Sequence, residues 1–165
     1  MKQTPQMQKI QENMRPGVIT LEGFLGKDDR NLVDILIDDD AHVKRLGYTH
    51  KAIALKMVEM RDKGKLGLGD FITVEPHFEI KVDSVRGKLP CPFGDPGVFP
   101  KVNTTVRNLS LKKEITFTDL HIHFVLVHGF YEGIGSAFRL EPAELAAILE
   151  VEKPENGVSI PGLPD

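Results

Sequence analysis

The sequence predicts a single α+β domain: a mostly antiparallel sheet of about five strands, packed by a helical hairpin and C-terminal helices. Three observations carry this. Apolar residues recur at helical spacing between Arg30 and Gly64, and after Gly69 the period changes to two. A chain of 165 residues with 41% hydrophobic and 27% charged content suits one core of ordinary size.

Taken in order, residues 1–16 form a polar arm in which Met7, Ile10 and Met14 keep helical spacing, so it reads as a loose arm or a short helix lying on a neighbour. Val18 to Phe24 has strand-like residues, and Gly26, Asp28 and Asp29 punctuate the way into a helix. Leu32, Ile35, Leu36, Val43 and Leu46 make one face of that helix, which Gly47 stops. Thr49 caps a second helix carrying Ile53, Met57 and Met60 as core fillers, which ends at Gly64. Phe71 to Glu75 and His77 to Val85 then read as strands, with Pro76 marking a turn, bulge or edge. The proline-rich stretch Leu89 to Pro100 reads as a loop, and Val102 to Arg107 with Ile115 to Phe117 as a hairpin. Pro142 opens a last helix to Val151. The domain therefore spans 17–151, followed by a flexible tail over 152–165.

Composition excludes several classes. A net charge of −3 and scattered basic residues argue against nucleic-acid binding, and the helical hairpin lacks a clear base-reading face. The single cysteine, Cys91, cannot form an internal disulfide, so a reducing cytoplasm is the expected home. No signal-peptide core or membrane-length apolar run is present, which predicts a soluble protein with no membrane partner. No internal repeat occurs. Asp38, Asp39 and Asp40 fan around a helix and cannot enclose calcium.

The block Thr118 to Glu132 places three of the six histidines in the most apolar run of the chain. As a strand it would point His121 and His123 to one face, about 7 Å apart, as in a His-x-His metal pair. His77, His128 or an acidic residue would complete a zinc-type centre with an open water position. As a helix it separates His121 and His128 by about 10 Å along the axis, too far for one ion. It pairs Asp119 with His123 and His128 with Glu132 at i,i+4, with His123 the buried one. The helix is the preferred reading, because Thr118 can cap it, Asp119 suits its first turn, and Gly129 or Gly133 can end it.

Two functional classes follow. In the first, a small-molecule or anion site supports acid–base or hydrolytic chemistry: His123 is the base, Asp119 orients it, and Cys91 or a bound metal activates the attack. Ser136, Arg139, His128 and Glu132 would bind the anionic ligand. Its metal variant uses His121, His123 and His128 to hold a divalent ion such as zinc. In the second class the histidines are structural, and the protein is a homo-oligomeric interaction module for which the Met7, Ile10, Met14 arm supplies a surface.

Overall fold

Apolar stripes at helical spacing fold into the expected helical pair: α2 (Leu32–Arg45) and α3 (His50–Gly64). Thr49 caps α3 by accepting the Ala52 N–H at 3.0 Å. The arm is the short helix α1 (Pro5–Asn13), capped by Thr4, and the fully buried Met14 at its end locks it into the core. A computed structural model describes residues 2–153. The expected tail from 154 onward lies outside the described residues.

Four strands, β1 (Ile72–Val74), β2 (Phe78–Pro90), β3 (Val98–Asn108) and β4 (Lys113–Thr118), form an antiparallel meander in sequential order. Phe78, Ile80 and Val82 alternate inward as their period of two requires, and pack with Ile53, Met57 and Met60 of α3. The chain then enters α4 (Asp119–His123), a widened π turn over Phe124–His128, and finally α5 (Pro142–Leu149). Leu145 and Leu149 of α5 close the same core. No described helix is long and apolar enough to cross a membrane.

Two expectations about elements change. Val18 to Phe24 is not a strand: Gly17 N–H donates to Thr20 C=O at 2.8 Å, Gly23 N–H to Thr20 Oγ1 at 2.9 Å, and Phe24 N–H to Met14 C=O at 2.9 Å. Local turn bonds there satisfy a backbone that has no sheet partner, and they override β propensity. The sheet accordingly has four strands, one fewer than expected. Conversely, the proline-rich stretch is a loop only over 91–97, because β2 and β3 continue as a paired ribbon with Leu89 opposite Phe99 and Pro90 opposite Val98. Pairing with β4 stops at Asn103, so Pro90 and Pro100 sit in a two-stranded ribbon where a missing N–H breaks no ladder on an outer side.

A second apolar cluster supports the functional region. Met14, Phe24, Leu25, Leu32 and Ile35 pack with Cys91, Leu120, Phe124 and Phe130. It brings the N-terminal segment, the 91–97 loop and the histidine block together.

Candidate metal centre

The histidine block is helical, as preferred, but its geometry changes midway. Thr118 caps α4 reciprocally: its Oγ1 accepts the His121 N–H at 3.1 Å, and its own N–H donates to His121 Nδ1 at 3.1 Å. After His123 the chain widens into a π turn that Gly129 closes at φ +60°, donating to Val125 C=O at 3.2 Å while Phe130 donates to Phe124 C=O at 3.1 Å. This matters for the histidines. On an α-helix, residues five apart point about 140° away from one another; in a π turn, with its i→i+5 bonding, they stack on one face. His123 and His128 therefore come together, which a regular α-helix would not allow.

Facing them is the 91–97 loop. Gly94 N–H donates to Cys91 C=O at 3.0 Å, and Asn13 ties the loop to α1 by donating to Pro92 C=O at 3.2 Å. His123 and His128 each donate from Nε2 to the same oxygen, Asp95 Oδ2, at 2.7 and 2.5 Å. Cys91 Sγ lies 3.6 Å from that oxygen and 3.8 Å from His128 Nε2. The four candidate ligand atoms of Cys91, Asp95, His123 and His128 all fall within 4.8 Å of one another. Phe93 stacks on the His128 ring at 3.8 Å and 7°, and Phe99 lies 4.5 Å from the His123 ring, so packing fixes both imidazole planes.

The electrostatics suit a ligand set better than a free nucleophile. Burial pushes the Cys91 thiol up, opposed by the Phe93 and Asp95 backbone amides that point at the sulfur. Such a thiol is a poor thiolate until an ion replaces its proton. Burial pulls His128 below the usual imidazole range against the attraction of Asp95, favouring the neutral form that metals require. Hydrogen bonding from His128, and then His123, holds the Asp95 carboxyl below its ordinary value despite burial.

No family model, curated protein or solved structure matches this chain. The site therefore rests on its own chemistry.

The remaining expected site residues are placed elsewhere. Asp119 does not orient His123: its carboxylate accepts from Arg61 at 3.3 Å, so the Cys91, His123, Asp119 relay does not form. His121, not His123, is the more buried histidine, because it points at the buried Glu132, donating from Nε2 to Oε2 at 2.5 Å. Glu132 consequently pairs with His121 rather than His128, and its other oxygen accepts from Ser136 Oγ at 2.8 Å. His121 uses both nitrogens within the fold and stands outside the Cys91 cluster. His77 pairs with Glu150, well away in sequence from the cluster. Arg139 is spent on structure: it donates to both oxygens of Asp39 at 2.9 and 3.0 Å and to Glu132 C=O at 2.7 Å.

Sequence reasoning missed Asp95, whose signal was its place four residues after Cys91 in the same loop. It also missed a relay in which the buried Tyr131 hydroxyl donates to His50 Nδ1 at 2.8 Å and His50 Nε2 donates to Asp40 at 3.0 Å. A cavity of about 370 Å³ lined by Phe24, Leu89, Phe99, Lys101, Leu120 and His121 also reaches Glu132, the partner of His121.

Proposed function

We propose that this protein binds a divalent transition metal of the zinc type through Cys91, Asp95, His123 and His128, and uses it as a Lewis acid in hydrolytic or related acid–base chemistry on a small molecule. One observation carries the reading: a thiol, a carboxylate oxygen and two imidazole nitrogens converge within 4.8 Å from two separate segments. Sulfur and imidazole select zinc-like ions over magnesium, calcium or manganese. Zinc bonds of about 2.0–2.3 Å require ligand atoms about 3.3–3.8 Å apart in a tetrahedron, so the 3.8 Å between sulfur and His128 already suits an ion. Asp95, at 2.5 and 2.7 Å from the imidazoles, would retreat by under about 1 Å as the ion takes the place of the two N–H protons.

A complete set of four protein ligands also favours a second reading, in which the ion is structural and cross-links the 91–97 loop to the π turn. Elemental analysis of the purified protein tests the site common to both. About one zinc-type ion per chain is expected, lost in Cys91→Ser, His123→Ala and His128→Ala and kept in His121→Gln. Metal that survives loss of both His123 and His128, or apoprotein that takes up no zinc on titration, would overturn the assignment.

A further inference from the structure

Resting on that metal site, we propose that Asp95 is a displaceable ligand, and that the position it vacates takes an oxygen of a small monocarboxylate whose apolar body lies against Phe93 and Phe99.

The four ligands are not equally held. Cys91 is 4% exposed and sits in the second apolar cluster, with the amides of Phe93 and Asp95 directed at its sulfur. His123 and His128 are each 16% exposed, clamped by an aromatic ring and by the π turn. The Asp95 side chain is 32% exposed, and among the described residues its carboxylate bonds only to the other three members of the cluster. On either side, Gly94 and Gly97 hold φ of +92° and +94°, and a side chain built at either would meet nothing within 4 Å. The segment carrying Asp95 therefore faces open space. Outward rotation of its carboxylate breaks only its bonds within the cluster, whereas removing any other ligand means disturbing the core or the π turn.

Charge decides what enters. An ion of +2 held by one thiolate and two neutral imidazoles keeps a net charge of +1 once Asp95 departs. The group that leaves is a carboxylate, so a second carboxylate is the exchange partner that restores neutrality at similar bond strength. With Phe93 and Phe99 half-buried beside the two imidazoles, an apolar acid gains contact that acetate cannot. When no acid is bound, an ion held by Cys91, His123 and His128 would acidify water for the hydrolytic reading, and Asp95 would be the cluster's own carboxylate available as proton acceptor.

Cobalt(II) titration with optical spectroscopy tests this, with benzoate as the probe. Cobalt bound through Cys91 gives a thiolate charge-transfer band, and its d–d bands report a change of ligand. Benzoate should shift the d–d bands saturably in the unaltered protein and leave the thiolate band in place. In Asp95→Ala the protein should still bind cobalt and should take benzoate at least about tenfold more tightly, because no internal ligand competes for the position. Acetate should bind more weakly than benzoate, and Phe93→Ala should narrow that gap. Cobalt bound with its thiolate band but indifferent to benzoate in both proteins would overturn the exchange while leaving the metal site intact. Equal benzoate affinity in the two proteins would remove Asp95 from the role. No thiolate band at all would instead overturn the metal site.

Discussion

Gly129→Ala probes the turn on which the candidate centre depends. Gly129 closes the π turn at φ +60°, where an L-residue costs about 1–2 kcal/mol. A Cβ there would lie 2.8 Å from His50 Nε2 and 3.0 Å from its Cδ2, so the imidazole must move. His50 is not free to move cheaply, because it accepts from the Tyr131 hydroxyl at 2.8 Å and donates to Asp40 at 3.0 Å. Displacing it leaves a fully buried tyrosine hydroxyl without its acceptor, at about 1–3 kcal/mol. Together these predict a loss of about 2–5 kcal/mol. Urea denaturation, read as a shift in midpoint at constant slope, measures it. Gly69→Ala is the control, since Gly69 also has a positive φ but open space around it, and should show only the backbone cost. In a His50→Ala background the steric part disappears, so the two substitutions should couple by at least about 1 kcal/mol. A loss below about 1 kcal/mol for Gly129→Ala, or additivity with His50→Ala, would refute the claim that the close approach of His50 and the π turn fix one another. Because the same closure sets the register of His123 and His128, zinc affinity should fall with it.

Other predictions concern the supports of the site. Asp28 accepts from Arg30 and from the Ile134 N–H, and Arg30 chiefly, against the opposing effect of burial, lowers its carboxyl from 3.8 to about 2. A lowered carboxylate stabilises the fold above its unfolded value and loses that contribution as pH falls, so Asp28→Asn should cost about 2 kcal/mol at pH 7. That cost should shrink below about pH 5 and be mostly gone by pH 2; an undiminished difference at pH 2 in urea titrations would show that the pair acts through packing. Arg139→Met strands Asp39, which is only 7% exposed, and should destabilise by about 3–5 kcal/mol, with much of it recovered in the Asp39→Leu, Arg139→Met double variant. Thermal unfolding of the three proteins checks this, and a lack of recovery would mean that Arg139 matters mainly through its bond to Glu132 C=O.

The regular elements were legible because their signals are local. Helical spacing over residues 30 to 64 and alternation through Phe78, Ile80 and Val82 reflect the direction in which successive side chains must point, whatever their partners. Thr118 as a cap and Gly129 as a stop were also readable, and both act there. The centre itself was not. Its formation depends on one turn of widened helix, and no spacing rule for an α-helix puts residues 123 and 128 on one face. It depends equally on a loop 28 residues away from His123 in sequence, carrying an aspartate that resembles any other turn residue. Arg139 illustrates the opposite case: next to glycines and a serine it reads either as an anion clamp or as the partner of an acidic residue, and Asp39, 100 residues earlier, fills its fork.

What separates this cluster from the rest of the molecule is the count of donors per acceptor. Every histidine of the chain lies against a carboxylate: His42 with Glu141, His50 with Asp40, His77 with Glu150, His121 with Glu132, and His123 and His128 with Asp95. In the first four cases one carboxylate serves one imidazole, and such pairs are ordinary structural ties whose members are mutually satisfied. Only Asp95 is shared, and it is one oxygen of Asp95 that receives both imidazoles with a thiol 3.6 Å away. One carboxylate cannot neutralise two imidazolium ions, and two neutral rings plus a thiol gain little from crowding one oxygen. The proposed cation would resolve this, because it would turn all four groups from competitors for one acceptor into donors of lone pairs to one acid. The fold commits a π turn, a left-handed glycine and two phenyl rings packed on the imidazoles to holding that convergence in place. A convergence held by such constraints is what supports the proposed ion as its partner.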